Sequence, residues 1–172
     1  MAVSPPIITS LKVETGGKMG RQKLKPGHVI EIATPVGYAY AQCTHEHPMF
    51  GHLLRVLPGL YQDPLKTFKE VVESHERYFI FFLWESSTDQ GIVRIVAKER
   101  VPEGSKAFPL FKAGATNPAT RRVETWWLWD GKSAWKVGAL TPEQRGLPVR
   151  EIWNDIMLAE MITKGWSPAD EA

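Results

Sequence analysis

The stretch YFIFFLW, residues 78–84, constrains the fold more than any other part of the chain. Alternate side chains on a strand point to opposite sides of the pleat, and here both sides are apolar or aromatic without a break. Such a segment cannot keep one face in water. Its seven residues also fall far short of the ~20 needed to cross a bilayer. It therefore reads as a central strand, buried on both sides. The chain has 172 residues, enough for one domain with a sizeable core and no need of metal or disulfide support.

Neighbouring segments supply plausible partners for that strand. In KPGHVIEIATPVGYAYAQC, Pro26-Gly27 signals a turn and Val29, Ile30 and Ile32 suit a first strand. After the turn at 35–37, Tyr38, Tyr40 and Gln42 share one face of a second strand. Ala39, Ala41 and Cys43 share the other, and their small size predicts close approach of another layer. FGHLLRVL reads as a third strand and GIVRIVAKERV as the one after the central run. YQDPLKTFKEVVES reads as a helix, with Asp63 as N-cap, Pro64 at the first position and an apolar stripe of Leu65, Phe68, Val71 and Val72. TPEQRGLP reads as a single capped turn, Thr141 with Gln144. A C-terminal helix is expected over 149–163, with Val149, Ile152, Trp153 and Ile156 inward. Together these give an α+β domain over 25–165, after a flexible basic leader at 1–24 and before a tail at 166–172. An edge strand at 7–13 is also compatible with the pattern.

Charge and cysteine usage narrow the functional classes. The net charge is +2, but residues 12–25 carry five basic residues against one acidic. That arm could contact nucleic acid or an acidic surface. Cys43 is the only cysteine, which excludes an internal disulfide and a cysteine-based zinc site within one chain. The start MAVSPPIITSLKV shows no signal-peptide pattern, and the expectation is a cytoplasmic protein with no membrane span.

No phosphate-binding loop, dinucleotide fingerprint, zinc-protease or serine-hydrolase motif occurs, so no catalytic residue and no cofactor are assigned. THEHPMFGH places His45 and His47 on one strand face, with His52 beyond, a weak metal alternative that would make the protein a small metal-dependent hydrolase. Cys43 close to these histidines reads as a small buried hydrophobe rather than a nucleophile.

ETWWLWDGKSAWKVG, residues 124–138, holds four tryptophans around Asp130-Gly131. A hairpin closed by a two- or a four-residue loop places Trp126, Leu128, Trp135 and Val137 on one face. Thr125, Trp127, Trp129 and Lys136 then share the other. The first face is apolar and predicts core. The second mixes indoles with a hydroxyl and an ammonium group, so Trp127, Trp129 and Lys136 are candidate contacts for a protein partner or for stacked bases. Along the last helix, Met157, Leu158, Met161 and Ile162 widen the apolar surface and suggest a homodimer.

The order of these pieces resembles the immunity protein 26 family of bacterial polymorphic toxin systems. The features that carry it are the strand pair KPGHVIEIATPVGYAYAQC, the aromatic RYFIFFLW, a basic strand, the FPLFKAGATNP loop, and an aromatic strand leading into a C-terminal helix. The resemblance covers about 25–162. It implies a strongly bent, mostly antiparallel, half-barrel-like sheet with two main helices, one after the third strand and one at the C-terminus. It also implies a non-enzymatic protein that neutralises a cognate toxin by direct binding. Acidic contacts to such a partner would come from Glu143, Glu151, Asp155 and Glu160. Nucleic-acid binding through the basic arm and the Trp hairpin is the alternative.

Overall fold

Strand propensity and pleat parity organise the first half of the chain as the sequence predicts. The computed structural model describes residues 22–171. β1 (His28–Thr34), β2 (Gly37–His47), β3 (Gly51–Val56) and β4 (Tyr78–Phe82) form an antiparallel meander. β5 (Val93–Lys98) returns to pair with β1. β6 (Phe111–Ala113), β7 (Trp126–Trp129) and β8 (Ala134–Gly138) make a separate antiparallel sheet. β9 (Ile152–Trp153) then adds to β4 in parallel, giving a six-stranded mixed sheet of order β5-β1-β2-β3-β4-β9. The described residues are mostly β, and the one substantial helix among them is α2 (Asp155–Thr163).

The expected half-barrel curl is absent: the large sheet is open, bounded by β5 and β9. Curling is unnecessary because separate layers cover both faces. On one face Ile30, Ile32, Ala39, Ala41, Cys43, Leu54, Ile80 and Phe82 pack against Leu158, Ala159 and Ile162 of α2 and against Trp153 and Trp166. The small side chains of β2 do allow this close approach. On the other face Val29 and Tyr40 pack under Val71 and Val72, while Leu53 and Phe81 pack under Phe111 and Trp129 of the small sheet. Both faces of the aromatic run are thus used: Ile80 and Phe82 on one side, Phe81 on the other.

Two helical expectations change. The helix expected from Asp63-Pro64 is reduced to α1 (Lys69–Glu73). Tyr61 is held extended by reciprocal backbone bonds with Tyr38 of 2.8 and 2.9 Å, and the Leu65 N–H is taken by the Tyr40 hydroxyl at 2.7 Å. The apolar stripe survives, since Leu65 and Phe68 still pack against Tyr40, but the local N-cap signal loses to these tertiary bonds. Similarly, α2 starts at Asn154, whose side chain accepts from Met157 N at 2.8 Å. Residues 149–153 are extended, bridging β6 and forming β9, so Ile152 and Ile156 face solvent. The 141–144 turn is as expected, with Gln144 N donating to Thr141 Oγ1 and Thr141 N to Gln144 Oε1.

Between the two apolar patches of the second face lies a buried polar seam. Arg55, fully buried, donates to Gln42 Oε1 at 2.8 Å, Ser74 O at 3.1 Å, Glu76 Oε2 at 3.3 Å and Val72 O. Glu76 also accepts from Ser105 Oγ at 2.8 Å. One guanidinium therefore clamps the end of α1 to the middle of the sheet and, through Glu76, holds the 103–105 turn. Burial pulls its pKa down while Glu76 raises it.

Of the expected leader, residues 1–21 and the strand at 7–13 lie outside the described residues. Gln22 O accepts from Trp84 Nε1 at 2.8 Å, and Leu24 is in the core. Cys43 is fully buried and its thiol is pushed up to about 12, chiefly by burial. The native protein is therefore expected to resist thiol reagents at pH 8 and to titrate as one thiol per chain only in denaturant. Rapid native labelling would contradict this packing.

Candidate interaction surface

The Trp hairpin closes with the four-residue loop. Trp129 pairs with Ala134, Leu128 with Trp135 and Trp127 with Lys136; a bulge then pairs Trp126 with Gly138. Asp130 Oδ1 holds the loop by accepting from Lys132 N and Ser133 N at 2.9 and 2.8 Å. Gly131 closes it at φ +99, and a Cβ there would meet Phe108 at 2.7 Å, so the tip requires glycine for both conformation and space.

Burial across the small sheet follows distance from its covered edge as well as pleat parity. Backbone bonds between Lys112 and residues 148–150 cover the β6 side, whereas β8 is the outer strand. In the row Lys112, Leu128, Trp135 the first two are buried and Trp135 is 42% exposed. In the row Phe111, Trp129, Ala134 the first two are again buried. In the row Ala113, Trp127, Lys136, Trp127 is 42% exposed and Lys136 is open to solvent.

One tryptophan of each expected pair is therefore displaced. Trp126 is buried and Trp127 half-open, as expected. Trp135, assigned to the core, is exposed because it sits on the outer strand. Trp129, a candidate contact, is buried because the inner face of the small sheet closes on the large one there. Its ring lies 4.9–5.9 Å from those of Phe50, Phe81, Phe108 and Phe111.

Arg150, unremarked in the sequence, completes this surface. Its guanidinium stacks over Phe50 and Trp129 at 5.6 and 5.3 Å from the ring centroids. Together with Trp127 it walls a 420 Å³ cleft lined otherwise by Ala113, Gly114, Ala115 and Ala134. Its position just before a strand, in PVREIW, carries no motif, and only the tertiary placement of 148–150 beside β6 reveals it. Lys112, also unflagged, has a structural task. Buried completely, its ammonium donates to Arg145 O and Pro168 O at 2.7 Å each and lies over Trp126. Burial lowers its pKa.

His47 pins this hairpin to the large sheet, and His45 pins the loop at Lys106. His47 Nε2 contacts Gly131 O at 3.0 Å, and its Nδ1 accepts from Met49 N and Phe50 N. His45 Nε2 contacts Lys106 O and its Nδ1 the Thr44 hydroxyl, each at 2.9 Å. Both nitrogens of each ring are engaged, so the His45/His47 metal alternative finds no free lone pair in this arrangement. Among the described residues no three His, Cys, Asp or Glu side chains converge as a metal site.

The remaining expected contacts divide. Glu143 is exposed. Glu151 accepts from Trp153 Nε1 at 3.1 Å, and Glu160 pairs with Lys164 at 2.6 Å. Asp155 is fully buried and accepts from Thr88 N and Oγ1 at 2.8 and 2.6 Å, so it anchors the 84–89 segment instead of facing a partner. The expected dimer surface is likewise turned inward: Leu158 and Ile162 are in the core and Met157 and Met161 pack beside them. The outward apolar residue of α2 is Ile156. A broad cleft of 1170 Å³ near His52 mixes Lys23 and Lys25 with Glu46, Glu85 and Asp89, charges of both signs.

No helix among the described residues is long and apolar enough to cross a membrane. Compared with known proteins, the chain matches no protein-family model, no curated protein and no solved structure.

Proposed function

We propose that the protein is a non-catalytic binding protein of the immunity type, which neutralises a bacterial toxin by direct contact in the cytoplasm. The observation that carries this reading is Trp127: half-exposed, beside Lys136 and Arg150, on a strand whose neighbouring indoles Trp126 and Trp129 are locked in packing. A rigid aromatic beside arginine is the combination that dominates protein interfaces, because little side-chain entropy is lost when a partner covers it. The choice of a toxin as partner rests on the sequence resemblance of the strand pair, aromatic strand, basic strand, proline-rich loop and C-terminal helix to the immunity protein 26 family. Co-expression with a candidate toxin taken from the genes beside this one should restore growth and yield a complex on gel filtration. Unchanged killing with no complex would sink the proposal.

A second reading, single-stranded nucleic acid stacked on Trp127, draws on the same basic surface. It predicts quenching of tryptophan fluorescence by oligonucleotides and affinity that falls steeply with salt.

A further inference from the structure

We propose that the free edge of β8 takes an extended, acidic segment of a partner protein as a fourth strand of the small sheet, with one carboxylate seated against Lys136 beside Trp127. This rests on the reading of the protein as a protein binder and specifies the chemistry of what is bound.

The backbone provides the first argument. Asp130 N donates to Ser133 O at 3.2 Å, which makes 130/133 a hydrogen-bonded pair and, by antiparallel alternation, 128/135 the next. At the intervening pairs, Ala134 and Lys136 direct their N–H and C=O groups away from β7. No hydrogen bond from another described residue reaches those groups, and Ala134, Trp135 and Lys136 are all exposed. Edges meant to stay unpaired are usually short and charged. This one is short and carries Lys136, but it also presents Trp135 on one face, with Trp127 nearby on the other, so an added strand would find an indole on each side.

Side-chain chemistry selects the occupant. Residues 121–150 hold six basic and three acidic residues. Among the acids, Asp130 is spent on loop N–H groups and Glu124 accepts from Asn117 Nδ2 at 2.8 Å. Lys132, Lys136 and Arg150 have no carboxylate partner among the described residues. Lys136 lies on β8 itself, paired with Trp127, and Arg150, over Phe50 and Trp129, adds to the positive field of the same face.

The test is an NMR titration of the full chain with a capped octapeptide alternating Thr and Glu, against a Thr/Lys octapeptide and octathymidylate. The Thr/Glu peptide should shift the Ala134 and Lys136 amides and the Trp127 indole at millimolar concentration, and the Thr/Lys peptide should not. Ala134→Pro, at the first position of the strand, should abolish the shifts by removing an outward N–H. Should that variant not fold, Lys136→Glu carries the test, weakening Thr/Glu binding about fivefold or more. No shift with Thr/Glu, or a response to octathymidylate alone, would overturn the proposal, the latter in favour of nucleic acid. The peptide arm needs no toxin. Peptide binding without toxin neutralisation would remove only the immunity reading, and a toxin complex indifferent to both variants would remove only strand addition.

Discussion

Arg55→Leu is expected to lower stability by about 3–5 kcal/mol, the usual result of removing one member of a buried charged pair. The reason is geometric: four acceptors on two segments, β2 and the end of α1, converge on one guanidinium. Leucine fills some of the volume but leaves the buried Gln42 Oε1 and Val72 O without their donor, and takes one donor each from the partly buried Ser74 O and Glu76. Urea denaturation should show the midpoint falling by about 2 M. Glu76→Gln keeps an acceptor for Arg55 and should cost less, about 1–2 kcal/mol. A loss below 1 kcal/mol for Arg55→Leu would mean that these acceptors find other donors, and that the seam does not hold the end of α1.

Trp129→Ala and Trp127→Ala should separate stability from binding on a single strand. Trp129 sits among four phenylalanines, under Arg150, and its truncation should cost about 3–5 kcal/mol. Trp127, two residues away and on the same pleat face, contributes chiefly to the surface. Its truncation should leave thermal unfolding within about 1 kcal/mol of the parent and weaken a protein partner by at least 2 kcal/mol, roughly 30-fold. Equal stability losses from the two substitutions would mean that the burial gradient across β6, β7 and β8 is wrong.

Much of the large sheet is legible in the sequence, because hydrophobic alternation and turn residues fix register locally. Tyr40 against Ala39 and Ala41, the unbroken aromatic run of β4, and the Thr141–Gln144 box all state their structural roles in their own neighbourhoods. The hairpin loop is legible to within two closures. What the sequence hides is decided at a distance. Asp63-Pro64 carries a sound helix-start signal, but Tyr38 and Tyr40, more than twenty residues earlier, take the backbone groups around it. Residues 149–153 have helical periodicity yet become bridge and parallel strand because β4 and β6 offer open edges. Asp155 looks like a surface acid until Thr88 is brought beneath it. Pleat parity sorts the tryptophans correctly only where both faces lie at equal depth, so it succeeds for Trp126 and Trp127 and fails for Trp135 at the edge and Trp129 under the large sheet. Arg150 follows the same logic, since nothing around it in sequence announces the aromatic rings it covers.

The central claim is that the margin of the small sheet, with Trp127, Lys136 and Arg150, is where this protein meets a protein partner. The direct measurement is calorimetric titration of a candidate toxin domain, taken from the genes beside this one, with the parent chain and with Trp127→Ala, after confirming equal unfolding temperatures. Tight binding by the parent and a loss of roughly 30-fold or more in the variant is the expected result. Undiminished affinity in the stably folded variant would contradict it and place the interface elsewhere on the molecule.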